Sequence, residues 1–478
     1  MKQNVSGFYL SLLSFSLIAC SGVGNSGDSN NTLPKPTPTL SPSPEPSPTL
    51  TPTPEPSPGP TPQWTKITGL GIGPTLPYLY GRYSPTSMLA QDSNNGQFWI
   101  YKNSVWTQVT GLSGQPDCDW NSYSCNLYGA DLSATKIILN FENAGVYTLW
   151  EYINGTWSQI TDGTGASGTQ PIHVNSFASN ATVDSMFVVG DGILWKYTTL
   201  NGWQKITDGS GANAQPTIVN YVIGSPTDIS MVIDGTNNYT FTYTTANGWE
   251  QINNGAGGTP PAPNQNTSYY GNSTPDSIVL TEGSSSFNLW TYIKTGGAGL
   301  WTNQNKVPRY IYGSPTPASI LMSVGLAPLP GGSTIWTLIG TTWTQLTDGT
   351  THSNTQPAYV EGNNYSSVAT NAVPNLFFMI DSINVLWGYK NGVWTNFNAM
   401  TGAPSLTSKI FGDATPLSII VADNQVPPQL WTYSSIGWTQ ITGGLNAPPS
   451  VAYEYGSSTN LSNMIVSEDT TFDLWVYK

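Results

Sequence analysis

Between pairs of strand-like runs an acidic residue recurs along this chain: Asp92, Glu142, Asp191, Asp234, Glu282, Asp381, Asp423 and Glu468-Asp469. Carboxylates that converge can flank a glycosidic bond as acid and nucleophile, hold calcium, or accept hydrogen bonds from a ligand's hydroxyls and amides. Their regular recurrence favours the last. A catalytic site needs unlike groups converging, whereas here each repeat offers nearly the same turn. No run has the dense Asp spacing of a calcium loop, so no metal site is expected, with calcium on the acidic face as the alternative. The two histidines, His173 and His352, fall in connections of different repeats. Gly-x-Ser-x-Gly and His-Glu-x-x-His motifs are absent. The expectation is a binding protein that does no chemistry and needs no cofactor.

Taken singly, each acid has a plainer role, because Asp-Gly and Asn-Gly are what tight turns require. Asp162, Asp208, Asn254 and Asp348 stand in such turns, within TDGTG, TDGSG, NNGAG and TDGT. Only the sum of these residues on one face would make that face acidic and rich in hydrogen-bonding groups. A second candidate lies in QPDCDWNSYSCN (115–126). Cys118 and Cys125, seven apart in an exported chain, most simply form a local disulfide. The loop between and beside them offers Asp117, Asp119, Trp120, Asn121 and Tyr123, the composition of a sugar- or protein-binding patch. A long surface loop stapled against fraying fits the same residues equally well.

The elements that must position these groups come from a repeat. LWTYSSIGWTQIT (430–442) reads as a β-hairpin: an alternating Leu-Trp-x-Tyr strand, a short turn, then a β-branched and aromatic strand. Close copies are LWEYINGTWSQIT (149–161), LWKYTTLNGWQKIT (194–207) and IWTLIGTTWTQLT (335–347). First-strand starts at 98, 149, 194, 240, 289, 335, 386, 430 and 474 are 44 to 51 residues apart. Before each hairpin comes an aromatic residue, often Tyr-Gly, then turn residues and an apolar run, as in YGNSTPDSIVL (270–280) and YGSPTPASILM (312–322). Each repeat thus has four short strands: A (aromatic-Gly), B (apolar run), C (LWxY) and D (WTQIT). Such a repeat is the signature of a β-propeller, an all-β fold of four-stranded blades. Its B–C turns and D–A connections emerge on one face, which gathers the acids listed above.

The D-strand tryptophans Trp64, Trp106, Trp157, Trp203, Trp249, Trp301, Trp343, Trp394 and Trp438 count nine blades. That exceeds the usual four to eight, so a smaller ring with one repeat packed outside it is the alternative. The chain ends on a C strand, LWVYK (474–478), without a D strand, and the missing one stands at the other end as QWTKIT (63–68). Pairing them would close the ring and leave no open edge. Seventeen of the eighteen tryptophans occupy C or D positions, with Phe241 in the remaining C position. Packing between blades is their expected role. Trp120 alone is out of register.

Ahead of the propeller (64–478), residues 1–20 read as a secretory signal, too short and serine-broken for a membrane span. Residues 21–33 are rich in Ser, Gly and Asn, and 34–62 place Pro at nearly every second position. The second run favours polyproline II and reads as a stalk reaching on the order of 90 Å. Charged residues make up only 9% of the chain, and 14 basic residues against a net charge of −13 argue against nucleic acid or an anionic membrane surface as partner.

Leu17-Ile18-Ala19-Cys20 resembles the lipobox of bacterial lipoproteins. The resemblance implies that Cys20 is lipidated and becomes the mature N-terminus. Ser21 in place of Asp implies the outer membrane, facing periplasm or exterior. The LWxY…GWTQIT repeat is similar to tectonin and tachylectin-type propellers, which implies lectin-like pockets repeated around the ring. A lipid-anchored propeller of the outer-membrane assembly machinery is an analogue in topology and location. The expected protein is a monomeric, lipid-anchored binder of glycan, with avidity from multivalency. A protein-interaction scaffold centred on Trp120 is the rival, and a propeller glycoside hydrolase has the least support.

Overall fold

The computed structural model describes residues 63–477 apart from 69–72, 113, 119–123, 131–134, 144, 163–168, 212–214, 253–262, 264–265, 283–286, 297, 326–332, 348–355, 358–366, 370, 443–450, 456–463 and 469–470. The expected signal and stalk, residues 1–62, lie outside it. Among the described residues the chain forms nine four-stranded antiparallel sheets and a single short 3-10 turn, Thr236–Asn238. Eight sheets are continuous in sequence. The first blade runs through Pro77–Ser84, Ser87–Asp92, Phe98–Lys102 and Val105–Gln108, the A, B, C and D strands read from the sequence.

The B strands are continuous apolar runs because both of their faces are covered. In the fifth blade, Ile278 and Leu280 point toward Val232 of the fourth blade, while Val279 between them packs with Ile320 and Met322 of the sixth. A strand buried on both sides has no solvent face to keep polar, so the usual alternation disappears. Nine such apolar clusters occur, one for each junction between successive blades. The ninth joins Ile67, Ile465, Leu474 and Val476 to Leu79, Met88 and Trp106 of the first blade. All nine repeats therefore belong to one closed ring, and none is packed outside it.

Closure is made by the two ends of the described chain. Trp64–Lys66 pairs antiparallel with Leu474–Tyr477, in the register Trp64 to Tyr477, Thr65 to Val476 and Lys66 to Trp475. The joint reproduces the bonds of the other blades. Thr68 accepts the backbone N–H of Leu474 at 2.7 Å, as Thr110 does from Phe98, Thr161 from Leu149 and Thr347 from Ile335. This bond explains the last threonine of WTQIT: it fastens the end of the D strand to the start of the C strand. The Trp64 and Tyr477 rings lie 5.1 Å apart, like Tyr101 and Trp106 or Tyr433 and Trp438 elsewhere.

A salt bridge of 2.6 Å from Lys66 to Asp473 is particular to this blade, and Thr68 donates to the same carboxylate at 3.2 Å. Burial pushes the Asp473 carboxyl up, but Lys66 with Thr471 and Thr68 outweighs it and holds the group below its ordinary value. A carboxylate lowered in the folded state stabilises above its unfolded pKa, near 4, and that contribution is lost as pH falls through the lower folded value. We predict that Asp473→Asn flattens the acid limb of the stability curve below about pH 4. Equal acid sensitivity of variant and parent in denaturant melts would contradict this.

The A strands are innermost: Val219–Thr227 runs beside Asn266–Thr274, which runs beside Tyr310–Thr316. Their aromatic-Gly motif is a bulge. At Gly271 (φ 68°) and Gly313 (φ 66°) the backbone is left-handed, and a Cβ would collide with the carbonyls of Pro315 and Ala372 in the following blade. Two blades lack the glycine and have short A strands, Val174–Phe177 and Ser367–Val368. There Asn180 and Asn371 reach across instead, each donating at 2.8 Å to a carbonyl of the next blade, Pro226 and Ala414.

Candidate functional site

The regular tryptophans are engaged within the ring. D-strand indoles donate one blade back to the carbonyl just past the preceding D strand: Trp106 to Ile67 (2.9 Å), Trp157 to Val109 (2.6 Å), Trp203 to Ile160 (2.9 Å), Trp301 to Ile252 (2.7 Å) and Trp438 to Phe397 (3.1 Å). C-strand indoles turn to the acidic series. Glu282 accepts from Trp290 at 2.5 Å, Asp381 from Trp387 at 2.9 Å and Asp423 from Trp431 at 3.1 Å. Two blades use a threonine instead: Trp336 donates to Thr334 at 2.8 Å in the sixth, which has no acid at this position, and Trp150 to Thr148 at 3.0 Å in the second, where Glu142 takes the phenol of Tyr147. A D-strand indole thus bolts two blades together, and a C-strand indole braces its own hairpin.

That use of the carboxylates decides what the B–C turns can present. Asp92, Asp234, Asp381 and Asp423 are no more than 4% exposed. Asp92 accepts from Thr75 N–H (2.9 Å) and Asn94 N–H (3.0 Å), Asp381 from the N–H groups of Ile383 and Val385, and Asp423 from those of Gln425 and Gln429. Asp234 takes the amide of Asn220 at 2.8 Å and the phenol of Tyr269 at 3.3 Å. These four are turned inward, and a ligand on this face would meet the turns they brace. Glu282 is half-buried against Trp290, Glu142 is half-buried beside Tyr147, and Asp191 is exposed and paired with His173. The structure therefore does not gather the seven named acids into one ring of ligand-facing groups.

Asp191 leaves a gap behind it. Trp195, the C-strand indole of that blade, is 3% exposed and its N–H has no partner among the described residues. A buried donor without a partner costs about 1–3 kcal/mol. Trp99 of the first blade shares this condition, but there Asp92 is occupied in holding its own turn.

A disulfide joins Cys118 and Cys125, with Cα atoms 5.5 Å apart. Cys118 is 2% exposed and packs with Ile100, Val109 and Leu139 at the junction of the first two blades, so the loop is anchored in the core at its base. Asp117 is exposed. Asp119, Trp120, Asn121 and Tyr123 lie outside the described residues. No group of three or more His, Cys, Asp or Glu able to hold a metal occurs among the described residues.

A different set of residues is left open. On the innermost strands, the position three before the bulge glycine is exposed in every blade where its side chain is described: Tyr78, Asn126, Tyr221, Ser268, Tyr310 and Lys409; Asn175, at the matching place in a blade without the glycine, is exposed too. The three tyrosines are 42%, 59% and 55% exposed. Two positions later the side chain turns back into the blade, as Tyr80 does with its phenol on Gln91 at 2.7 Å. The inner wall thus carries three accessible phenol rings among amide, hydroxyl and ammonium groups. The sequence motif marks the A strand by its aromatic-Gly pair and gives these tyrosines no role. The bulge glycine was the register mark that separates them.

No protein-family model matches the chain, and no curated protein matches it in sequence. Solved structures are similar in fold at low identity. PorZ, a surface component of the type-IX secretion system of Porphyromonas gingivalis, is 11% identical, with 81% of this chain and 58% of that one covered and a TM-score of 0.24. The extracellular domain of the hybrid two-component system BT3049 of B. thetaiotaomicron is 10% identical, covering 86% and 54%, with a TM-score of 0.32. An oligogalacturonate lyase in complex with manganese is 12% identical, covering 76% and 98%, with a TM-score of 0.34. The chain spans little more than half the length of the first and second of these.

Proposed function

We propose that this protein is a non-catalytic glycan-binding propeller, held by a lipid on Cys20 at the outer membrane and acting as a monomer. The supporting observation is the inner-strand ring. Tyr78, Tyr221 and Tyr310 are aromatic rings that packing leaves open on the inner strands, and the polar groups at equivalent positions suit sugar hydroxyls. Site composition favours glycan because neutral hydroxyl-rich ligands need flat aromatic surfaces with amide and hydroxyl partners. Several such platforms around one axis would give avidity on a polymer or a glycan-coated surface. A protein-interaction scaffold is the second reading, favoured by the disulfide-tied loop rooted at Cys118, and it would place binding there.

An array of glycans probed with the purified protein tests the reading. Tyr221→Ala and Tyr310→Ala should each weaken binding about three- to tenfold, the effect of one lost aromatic contact, and leave the melting temperature unchanged. Binding that ignores both substitutions but disappears with Asp117→Ala or with Cys118→Ser and Cys125→Ser together would move the site to the loop. The location has its own test. Cys20→Ser should lose lipid labelling and leave the protein unprocessed or released in soluble form. Tight fractionation of that variant with outer membrane would mean that the anchor is something else.

A further inference from the structure

One junction departs from the ring. Asp191 stands at the tip of the hairpin between Ser185–Gly190 and Ile193–Thr198, in the left-handed region at φ 53° and followed by Gly192 at φ 75°. Its counterparts Asp381 and Asp423 take the C-strand indole of their blade; Asp191 leaves Trp195 without one and turns outward. Its Oδ1 lies 2.8 Å from His173 Nδ1, and its Oδ2 receives the His173 backbone N–H at 3.4 Å. His173 arrives on the connection from the second blade, so this pair is set by two elements. The carboxylate can only accept, so the imidazole proton sits on Nδ1 and Nε2 of the neutral ring is an acceptor. Both side chains are exposed, at 45% and 40%.

The second blade completes the cluster. Tyr147 meets the imidazole edge to face, with ring centroids 5.1 Å apart at 84°. Its phenol donates to Glu142, which pushes the phenol's pKa up. The junction therefore presents a fixed imidazole acceptor, a carboxylate acceptor and an aromatic ring, with no equivalent among the other described hairpin tips. A carboxylate withdrawn from a buried indole and spent on orienting an exposed histidine is an arrangement that packing alone does not explain.

We propose that Glu142, Tyr147 and His173, with Asp191 as positioning residue, form a sugar subsite separate from the inner-strand ring. Its ligand is a neutral pyranose with two adjacent hydroxyls. One hydroxyl donates to His173 Nε2, the other to Glu142, and the sugar ring rests against Tyr147. The choice of sugar as ligand rests on the glycan reading above. Acceptors matched to donors explain why the site has a carboxylate and an imidazole where the inner ring has phenol and amide.

The chain has only two histidines, His173 and His352. Isotope-labelled histidine therefore gives two sets of imidazole signals, and His173→Ala assigns them. Methyl galactoside, methyl mannoside and methyl glucoside are titrated in turn. At least one should shift the His173 signals and leave those of His352 unmoved, and Tyr147→Ala should weaken that binding about tenfold or more without changing the melting temperature. Asp191→Asn should move the His173 proton from Nδ1 toward Nε2, visible in the nitrogen shifts, and weaken binding several-fold. His173 signals that ignore all three sugars, while Tyr221→Ala still reduces glycan binding, would overturn this subsite and leave the earlier reading standing. No binding by any route would overturn both. A shift produced by zinc alone and by none of the sugars would overturn the ligand class.

Discussion

Removing residues 63–68 should cost the ring its closure, and with it most of its stability. The deletion takes away Trp64, which has no exposed surface, and Ile67, which is 7% exposed. Truncating one buried large side chain typically costs about 2–5 kcal/mol, so losing two approaches the whole stability of an ordinary domain, about 5–15 kcal/mol. Backbone bonds go as well: Leu474–Tyr477 would become an open edge, and the N–H of Leu474 would lose Thr68. Exposed strand edges recruit other chains. We predict low soluble yield, aggregation on concentration and a melting temperature lower by well over about 10 °C for what survives. Supplying residues 63–68 as a separate peptide should restore part of the loss. A deleted chain that melts within a few degrees of the intact one would show that the final blade holds without its outermost strand.

Nearly all of the ring was legible in the sequence because it is written locally. A strand with both faces covered must be an apolar run, a tight turn must use Gly, Asn or Asp, and a D strand in front of the first A strand has one place to go. The fate of the acids was not legible. Asp381 and Asp191 occupy the same position in their repeats, yet one is buried on Trp387 and the other faces solvent. The difference comes from His173, which a neighbouring connection brings to one turn only. No periodic reading sees that. The inner-strand tyrosines were hidden differently: Tyr78 and Tyr80 are both aromatic and two residues apart, but one is 42% exposed while the other is tied to Gln91. Residue type alone does not separate them; their register to the bulge does.

The tryptophans test whether the division between packing and binding is right. Trp301 is 4% exposed, lies 4.9 Å from the Tyr292 ring and packs with Val232, Ile278 and Leu280 across the junction of the fourth and fifth blades. Its indole also satisfies the Ile252 carbonyl of the fourth blade at 2.7 Å. We predict that Trp301→Ala costs about 3–5 kcal/mol, the range for buried aromatic truncations, and that the whole ring melts earlier since every junction is needed to close it. Trp343, at the equivalent position one blade further on, in the sixth blade, is only half-buried and donates to the Gln304 side chain at 3.0 Å. Trp343→Ala should therefore cost less, about 1–2 kcal/mol, because less surface is returned to water and a side-chain amide is easier to re-solvate than a backbone carbonyl held between two blades. Neither substitution should touch ligand affinity per folded molecule, while Tyr221→Ala should lower affinity with no loss of stability. Denaturant melts and binding isotherms on the three variants give the comparison. If Trp301→Ala were as stable as the parent and lost its ligand, the repeat aromatics would be the binding pockets, and the phenols of the inner wall would be bystanders.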